Sequence, residues 1–444
     1  MDDRRTESSA PRPARAILLQ DRLGCLQAVV DKKALLDLDA VDELTGRKLA
    51  AVSAHQMATV TRRHKLQQMA EVPSFFLAPT VIDRQISNGR ELYHEIVQPD
   101  GTSLESLTSE AFMQPLRDRG LRIQTGDIAI TENTLRTEVG SAASDTAAIR
   151  SSLENFTELR LRQRLEETLE IPPLPATADR IIRLRDNPNA SSTELTRIVE
   201  SDPGLAAQVV SWAASPYYAA PGKISSVHDA IVRVLGFDMV SNLAVGLILG
   251  RNIALPKEKV EGMPPYWIQA VFAATGAEAL FRLLPPRRRP RQGLLYLAGL
   301  LHNFGYLILA HTFPPHFSRL CRYVEANPAI SHVAIEHHLL GVSREQLGAW
   351  LMQCWNMPEE LAVALRYQHD SSYSGEHAAY ANLVYMTTRL LREQGIGDAP
   401  PETIPKELFR KYGLHADEAR LAIAHVAQSA DIRHMAEQLA SAGS

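Results

Sequence analysis

The sequence is poor in cysteine: Cys25, Cys321 and Cys354 are scattered and odd in number. They form no Cys-x-x-Cys pair and no readable disulfide framework, so a reducing cytoplasm is expected. Neither sign of charge dominates, and a net charge of −4 over 444 residues gives no global pull toward nucleic acid or anionic lipid. The first residues, Met-Asp-Asp-Arg-Arg-Thr-Glu, lack the apolar stretch of a secretory signal. The longest apolar run, Leu294 to Ala310, is interrupted by His302 and Asn303. It falls short of the roughly 20 residues of a membrane span and reads as a buried core helix. No Walker loop, Gly-x-Gly-x-x-Gly fingerprint, Gly-x-Ser-x-Gly elbow or solenoid repeat is present. What remains is an ordinary globular composition, 45% hydrophobic and 22% charged, long enough for two or three domains.

Residues 1–13 read as a disordered tail. In 14–135, Ala16 to Leu19 and Leu26 to Val30 suggest a β-hairpin, and Leu38, Val41 and Leu44 share one face of a helix that Gly46 ends. Further strands are expected at 74–77, 91–97 and 122–130, with a turn at Pro99-Asp100-Gly101. This half is therefore α+β. Residues 136–157 are rich in Ser, Ala and Thr and read as a linker. From 158 to 375, and in an extension over 376–444, almost only helices are expected. Residues 157–170 are amphipathic. Pro175 can start a helix, Ser191 to Glu194 is a capping box, and Asp202-Pro203 opens another helix. Gly246 allows close packing within a helix over 238–250, and 416–442 reads as one helix.

The most distinctive chemistry lies at His302-Asn303-Phe304-Gly305-Tyr306, at the end of an apolar helix. A divalent metal at such a pair wants an anionic oxygen. Asn303 offers a neutral carbonyl, and its amide end repels a cation. The pair either lines a polar pocket for a small ligand or is a hydrogen-bonded part of the core. His337 and His338 are adjacent and point apart on a helix, which suits a solvated face better than chelation. His369-Asp370 reads as a structural helix end. Arg287, Arg288, Arg289 and Arg291, among prolines, form either an exposed loop or a phosphate grip. The spacing of Asp127 and Glu132 gives no support to an acid–base pair.

The helical half resembles the HDOD domain, the catalytically degenerate relative of the HD phosphohydrolases. The likeness is carried in order by Ile171-Pro172-Pro173-Leu174-Pro175, Ser201-Asp202-Pro203-Gly204-Leu205, Ser226-Val227-His228-Asp229, Tyr266-Trp267, Ala298 to Gly305, Leu347 to Leu351, Trp355-Asn356-Met357-Pro358 and Tyr367-Gln368-His369. The resemblance implies histidines near 269, 344 and 368–369, His-Asp at 302–303 and an Asp near 388 in a working hydrolase. This chain has Gln269, His302-Asn303, Arg344, Gln368-His369 and Thr388, with Tyr306 where a Lys would follow. His302 and His369 are the only plausible donors left, whereas a catalytic metal site needs at least three protein ligands. No metal or cofactor is expected. Gln269, His302, Asn303, Tyr306, Arg344, Gln368 and His369 are the residues of a vestigial pocket.

The first half resembles the YbaK-type aminoacyl-tRNA deacylase fold, through Ala14 to Leu19, Leu26 to Val30, and Leu36 to Asp39 with Leu44-Thr45-Gly46-Arg47. Arg15 stands where that family's strand carries a Lys, and Arg does not give up a proton at neutral pH. The family's Gly-rich segment with a substrate-facing Pro is also absent between His55 and Leu77. Together the resemblances imply a non-catalytic, cytoplasmic bacterial regulator. It would bind a regulatory protein partner or a small nucleotide-like signal, with neither membrane nor nucleic acid expected. The alternatives are a residual metal-dependent phosphohydrolase acting on nucleotides or cyclic dinucleotides, and an RNA- or tRNA-binding or aminoacyl-tRNA deacylase protein.

Overall fold

The computed structural model describes residues 13–69, 72, 74–88, 91–98, 101–131, 134–135, 145, 147–149, 151–152, 173–219, 222–253, 264–312, 314–400 and 402–442. The expected tail up to residue 12, the amphipathic stretch 157–170 and most of the expected linker lie outside them. The strands are β1 (Ala14–Asp21), β2 (Gly24–Asp31), β3 (Leu35–Leu36), β4 (Ala50–Ala51), β5 (Thr80–Asp83), β6 (Glu91–Gln98), β7 (Gly101–Thr108), β8 (Ile123–Gly126) and β9 (Ala129–Ile130). The first helices are α1 (Leu38–Thr45), α2 (Ala54–Arg63), α3 (Arg84–Ser87), α4 (Ser109–Asp118), α5 (Ala176–Arg185), α6 (Ser192–Glu200) and α7 (Pro203–Ala214). A short turn, Val227–Asp229, continues as a π-helix, Ala230–Leu235. Then come α8 (Phe237–Arg251), α9 (Tyr266–Leu283), α10 (Gln292–Leu301), α11 (Phe304–Thr312), α12 (Pro314–Ala326), α13 (His332–Leu340), α14 (Arg344–Cys354) and α15 (Glu359–Tyr367). The chain ends with α16 (Ala378–Glu393), α17 (Lys406–Tyr412), α18 (Ala416–Gln428) and α19 (Ala430–Ala442).

The chain divides into two compact units. Met1–Thr137, Val260–Gly262 and Ser318–Leu339 form the first, and Glu138–Lys259, Met263–Phe317 and Leu340–Ser444 the second.

The first unit is built on a small mixed sheet ordered β4-β1-β2-β5-β8. β1 and β2 form the expected antiparallel hairpin, while β5 and β8 add in parallel. Asp37 caps α1 by accepting from the backbone of Asp39 and Ala40, and Gly46 ends the helix at φ 67°, a conformation glycine takes without strain. One expected strand is absent: 74–77 is a turn. An isolated antiparallel bridge, Gln68 to Phe76, stands in its place, and the fully buried Gln27 side chain holds the other side, donating to Phe76 O at 2.7 Å and accepting from Phe76 N at 3.0 Å. The turn sends Phe75 into the core against Phe112, ring centroids 5.3 Å apart. Gln98 pairs with Gly101 in a second hairpin, and Pro99-Asp100 of its expected turn lie outside the described residues.

Ser318–Leu339 fall within the stretch read as one helical domain, yet they belong to the first unit. The reason is polar. Asn327, fully buried, accepts from Arg15 Nη2 and Leu36 N, both at 2.7 Å, and donates to Leu36 O at 3.2 Å and Tyr323 O at 2.9 Å. One turn earlier the Tyr323 hydroxyl lies 2.7 Å from Asp37 Oδ1. Arg319 pairs with Asp39, and Arg322 with Asp42 at 3.1 Å.

The second unit is mostly helical. Two of its starts match the caps in the sequence: Ser191 and Glu194 form a reciprocal box, and Asp202 caps α7; Pro175, expected at the first helical position, is instead the residue before α5. Helices α8, α9 and α10 are buried on nearly every face. Gly246 makes that possible, since a Cβ there would lie 2.4 Å from Leu300 Cδ2. The apolar window Gln292–His311 is long enough to cross a membrane, and 94% of it is buried inside the protein. The expected single helix over 416–442 is two helices, α18 and α19. Ser429 between them is extended, at φ −70° and ψ 116°.

Candidate functional site

The polar centre of the second unit is assembled where α10 ends, α11 begins and α14 starts. His302 is the residue after α10, Asn303 follows it, and Gly305 lies in the first turn of α11. Gly305 sets the approach of α14: a Cβ there would sit 1.8 Å from the backbone oxygen of Arg344. α14 is opened by a second capping box, Ser343 with Gln346, which places Arg344 at the first helical position. Arg344 is only 3% exposed.

The Arg344 guanidinium occupies the middle of the group. Its Nη1 donates to Asn303 Oδ1 at 3.1 Å and to Asp398 Oδ2 at 2.6 Å. Its Cζ lies 5.0 Å from the centre of the Tyr306 ring, a cation–π distance. Asn303 in turn donates to Gln269 Oε1 at 3.4 Å, and Gln269 donates to Pro264 O at 2.7 Å. The Nδ1 of His302 is 2.8 Å from Gly299 O, which fixes that nitrogen as the protonated one. Burial holds the His302 pKa below its ordinary value, outweighing the Gly299 carbonyl. Gln368 donates to His302 O at 2.6 Å and clamps the end of α10.

Gln269, Asn303, Tyr306 and Arg344 thus meet directly, and His302 and Gln368 join through the backbone. His369 belongs to an adjoining polar cluster. Its Nε2 lies 3.3 Å from Glu345 Oε1, and its Nδ1 lies 3.5 Å from Arg389 Nη1. Arg389 is fully buried, with Glu402 at 2.9 Å and the Tyr385 ring centre at 3.5 Å. Thr388 bonds back to Val384 O within its own helix. Arg15, the residue singled out in the first unit, ties β1 to Asn327 and to Ala34 O at 3.1 Å. Burial lowers its pKa to about 10, so the guanidinium stays charged at neutral pH.

Sequence reasoning missed Asp398, Glu345, Arg389 and Asp145. Asp398 and Arg389 lie beyond 375, outside the stretch that carries the resemblance. Asp145 sits in the expected linker yet is buried in an ion pair with Arg366, Nη2 to Oδ1 at 2.9 Å. The Gly397-Asp398 turn and the buried register of Arg389 in α16 were the available signals. Three arginines of the basic run are tied down as well. Arg288 donates to Arg410 O and Lys411 O, Arg289 to Leu284 O, and Arg291 to Asp238.

A divalent ion at His302 and Asn303 does not fit these side chains. The Asn303 carbonyl already accepts from Arg344, the carboxylate of Asp398 is paired with the same guanidinium, and a fixed positive charge stands where a second would have to enter.

A family model described as the HDOD domain matches residues 171–371. The crystal structure of a candidate signal transduction protein from Marinobacter aquaeolei VT8 is 41% identical, with a TM-score of 0.83, over 97% of this chain and 94% of that one. An HDOD domain protein of unknown function from Geobacter sulfurreducens is 21% identical, with a TM-score of 0.53, over 66% of this chain and 99% of that one, which shows a shared fold. An uncharacterized protein of Treponema pallidum is 25% identical over 270 residues, 59% of this chain, and the chain spans 49% of that relative's length. With the ordered motifs and the helical unit, residues 171–371 of this chain are an HDOD domain.

Proposed function

We propose that this protein is a non-catalytic regulator in which the HDOD unit binds a partner protein or small signal. The observation that carries this reading is Arg344. A buried guanidinium held by Asn303, Asp398 and the Tyr306 ring supplies the positive charge that a metal would supply in a hydrolase, but it has no open coordination position to activate water. The signal-transduction description of the Marinobacter relative points the same way. On this reading the protein is cytoplasmic. The first unit, likened to the YbaK-type deacylases, serves recognition or packing, because Arg15 there is a charged staple rather than a titrating base.

The test is a phosphoesterase assay with added manganese, iron or zinc, on nucleoside phosphates and cyclic dinucleotides. No turnover above that of an Arg344→Met variant is expected. Metal-dependent turnover lost in His302→Gln would overturn the proposal.

A further inference from the structure

Helices α14 and α15 and the loop after α15 enclose a cleft of about 140 Å³. It is too small for a whole nucleotide and suits a single head group. Its aromatic walls are the half-buried rings of Trp350, Tyr367 and Tyr373. Tyr367 and Tyr373 stack in parallel, centroids 4.0 Å apart. Among the described residues, no ring or cation stacks on Trp350.

Among the described residues, the carboxylates of Asp145 and Glu359 outnumber the one cation in the cleft, Arg366. Arg366 is matched by the buried Asp145, which also accepts from Gln346 at 2.7 Å, and its guanidinium lies 5.4 Å from the centre of the Tyr367 ring, so Tyr367 already carries Tyr373 and Arg366. Glu359 lines the mouth. The Tyr373 hydroxyl is pushed up by burial first, and then by Tyr367 and the nearby charges of Glu359, Glu376 and Asp370. A phosphate or carboxylate would be repelled here, whereas a cation would meet ring faces and carboxylates together.

We propose that this cleft is a binding site for an organic cation, a guanidinium or alkylammonium group, held by Trp350 and Tyr373, which Tyr367 backs, and by the carboxylate of Glu359. The group comes either from a free small molecule or from an Arg or Lys side chain of a partner polypeptide. The assignment is independent of the polar centre around Arg344, since neither metal nor turnover enters it.

Calorimetric titration of the full chain with Nα-acetylated arginine amide tests it, with Nα-acetylated citrulline amide as the neutral isostere and inorganic phosphate as the anion. Saturable binding at one site per chain is expected for the acetylated arginine amide, with neither control binding. Trp350→Phe and Glu359→Gln should each weaken binding about five- to tenfold. Glu359 is exposed, so its Gln variant should fold even if the Trp350 variant does not. An acetylated Gly-Arg-Gly amide that binds tighter than the acetylated arginine amide would identify a polypeptide source, and equal binding a free cation. Absence of saturable cation binding, equal binding of the acetylated citrulline amide, or full affinity in folded Glu359→Gln would each overturn the proposal.

Discussion

Arg344 sits at the first position of α14, where the exposed backbone N–H groups of a helix disfavour a positive charge. It is tolerated because Asp398, Asn303 and Tyr306 surround it. Removing one member of a buried pair strands the other. Arg344→Met should therefore lower the free energy of unfolding by about 3 kcal/mol, read from urea denaturation. Arg344→Lys should lose about half as much, because the ammonium keeps a charge beside Asp398 but loses the planar guanidinium over the Tyr306 ring. A Met variant as stable as the parent would show that the pair carries little.

His302 gives a pH signature. Its folded pKa lies below its ordinary value of 6.5, so the unfolded chain binds the proton more readily. Its contribution is complete above the unfolded pKa and is lost as pH falls through about 6.5 toward the folded value. Thermal melts between pH 7.5 and 5.5 should show a drop in Tm that is smaller in His302→Gln. An identical drop in both would remove His302 from the account.

At the scale of elements, glycines and one asparagine set the close contacts. Gly305→Ala places a Cβ against the Arg344 carbonyl, which only a shift of α14 can relieve. The expected cost exceeds about 3 kcal/mol, with loss of the near-ultraviolet circular dichroism of a packed core. Asn327→Ala leaves the Leu36 backbone without its partner and takes from Arg15 one of its acceptors, and should cost about 2–3 kcal/mol by chemical denaturation. Elements written in local chemistry were legible: the β1–β2 hairpin, α1 between Asp37 and Gly46, and the Ser191 and Asp202 caps. β5 was not, because Thr80–Asp83 is buried on both faces and shows no alternation. Nor was the turn at 74–77, held by the Gln68–Phe76 bridge on one side and by Gln27, a residue 49 positions away, on the other.

For the whole molecule, the ordered motifs located the helical unit and most of the polar centre. They could not show that Ser318–Leu339 return to the first unit, since that depends on Asn327, Tyr323 and Arg319 meeting residues nearly 300 positions earlier. Nor could they supply Asp398, which neutralises Arg344 from 54 positions away. The central claim is that a guanidinium has replaced a metal in this HDOD unit. Elemental analysis of untagged protein, produced without chelators in medium supplemented with iron, manganese and zinc, tests it most directly when run beside His302→Gln. The account predicts equal metal content in the two proteins, with no equivalent that depends on His302. One equivalent of metal per chain in the parent, absent from the His302→Gln variant, would contradict it.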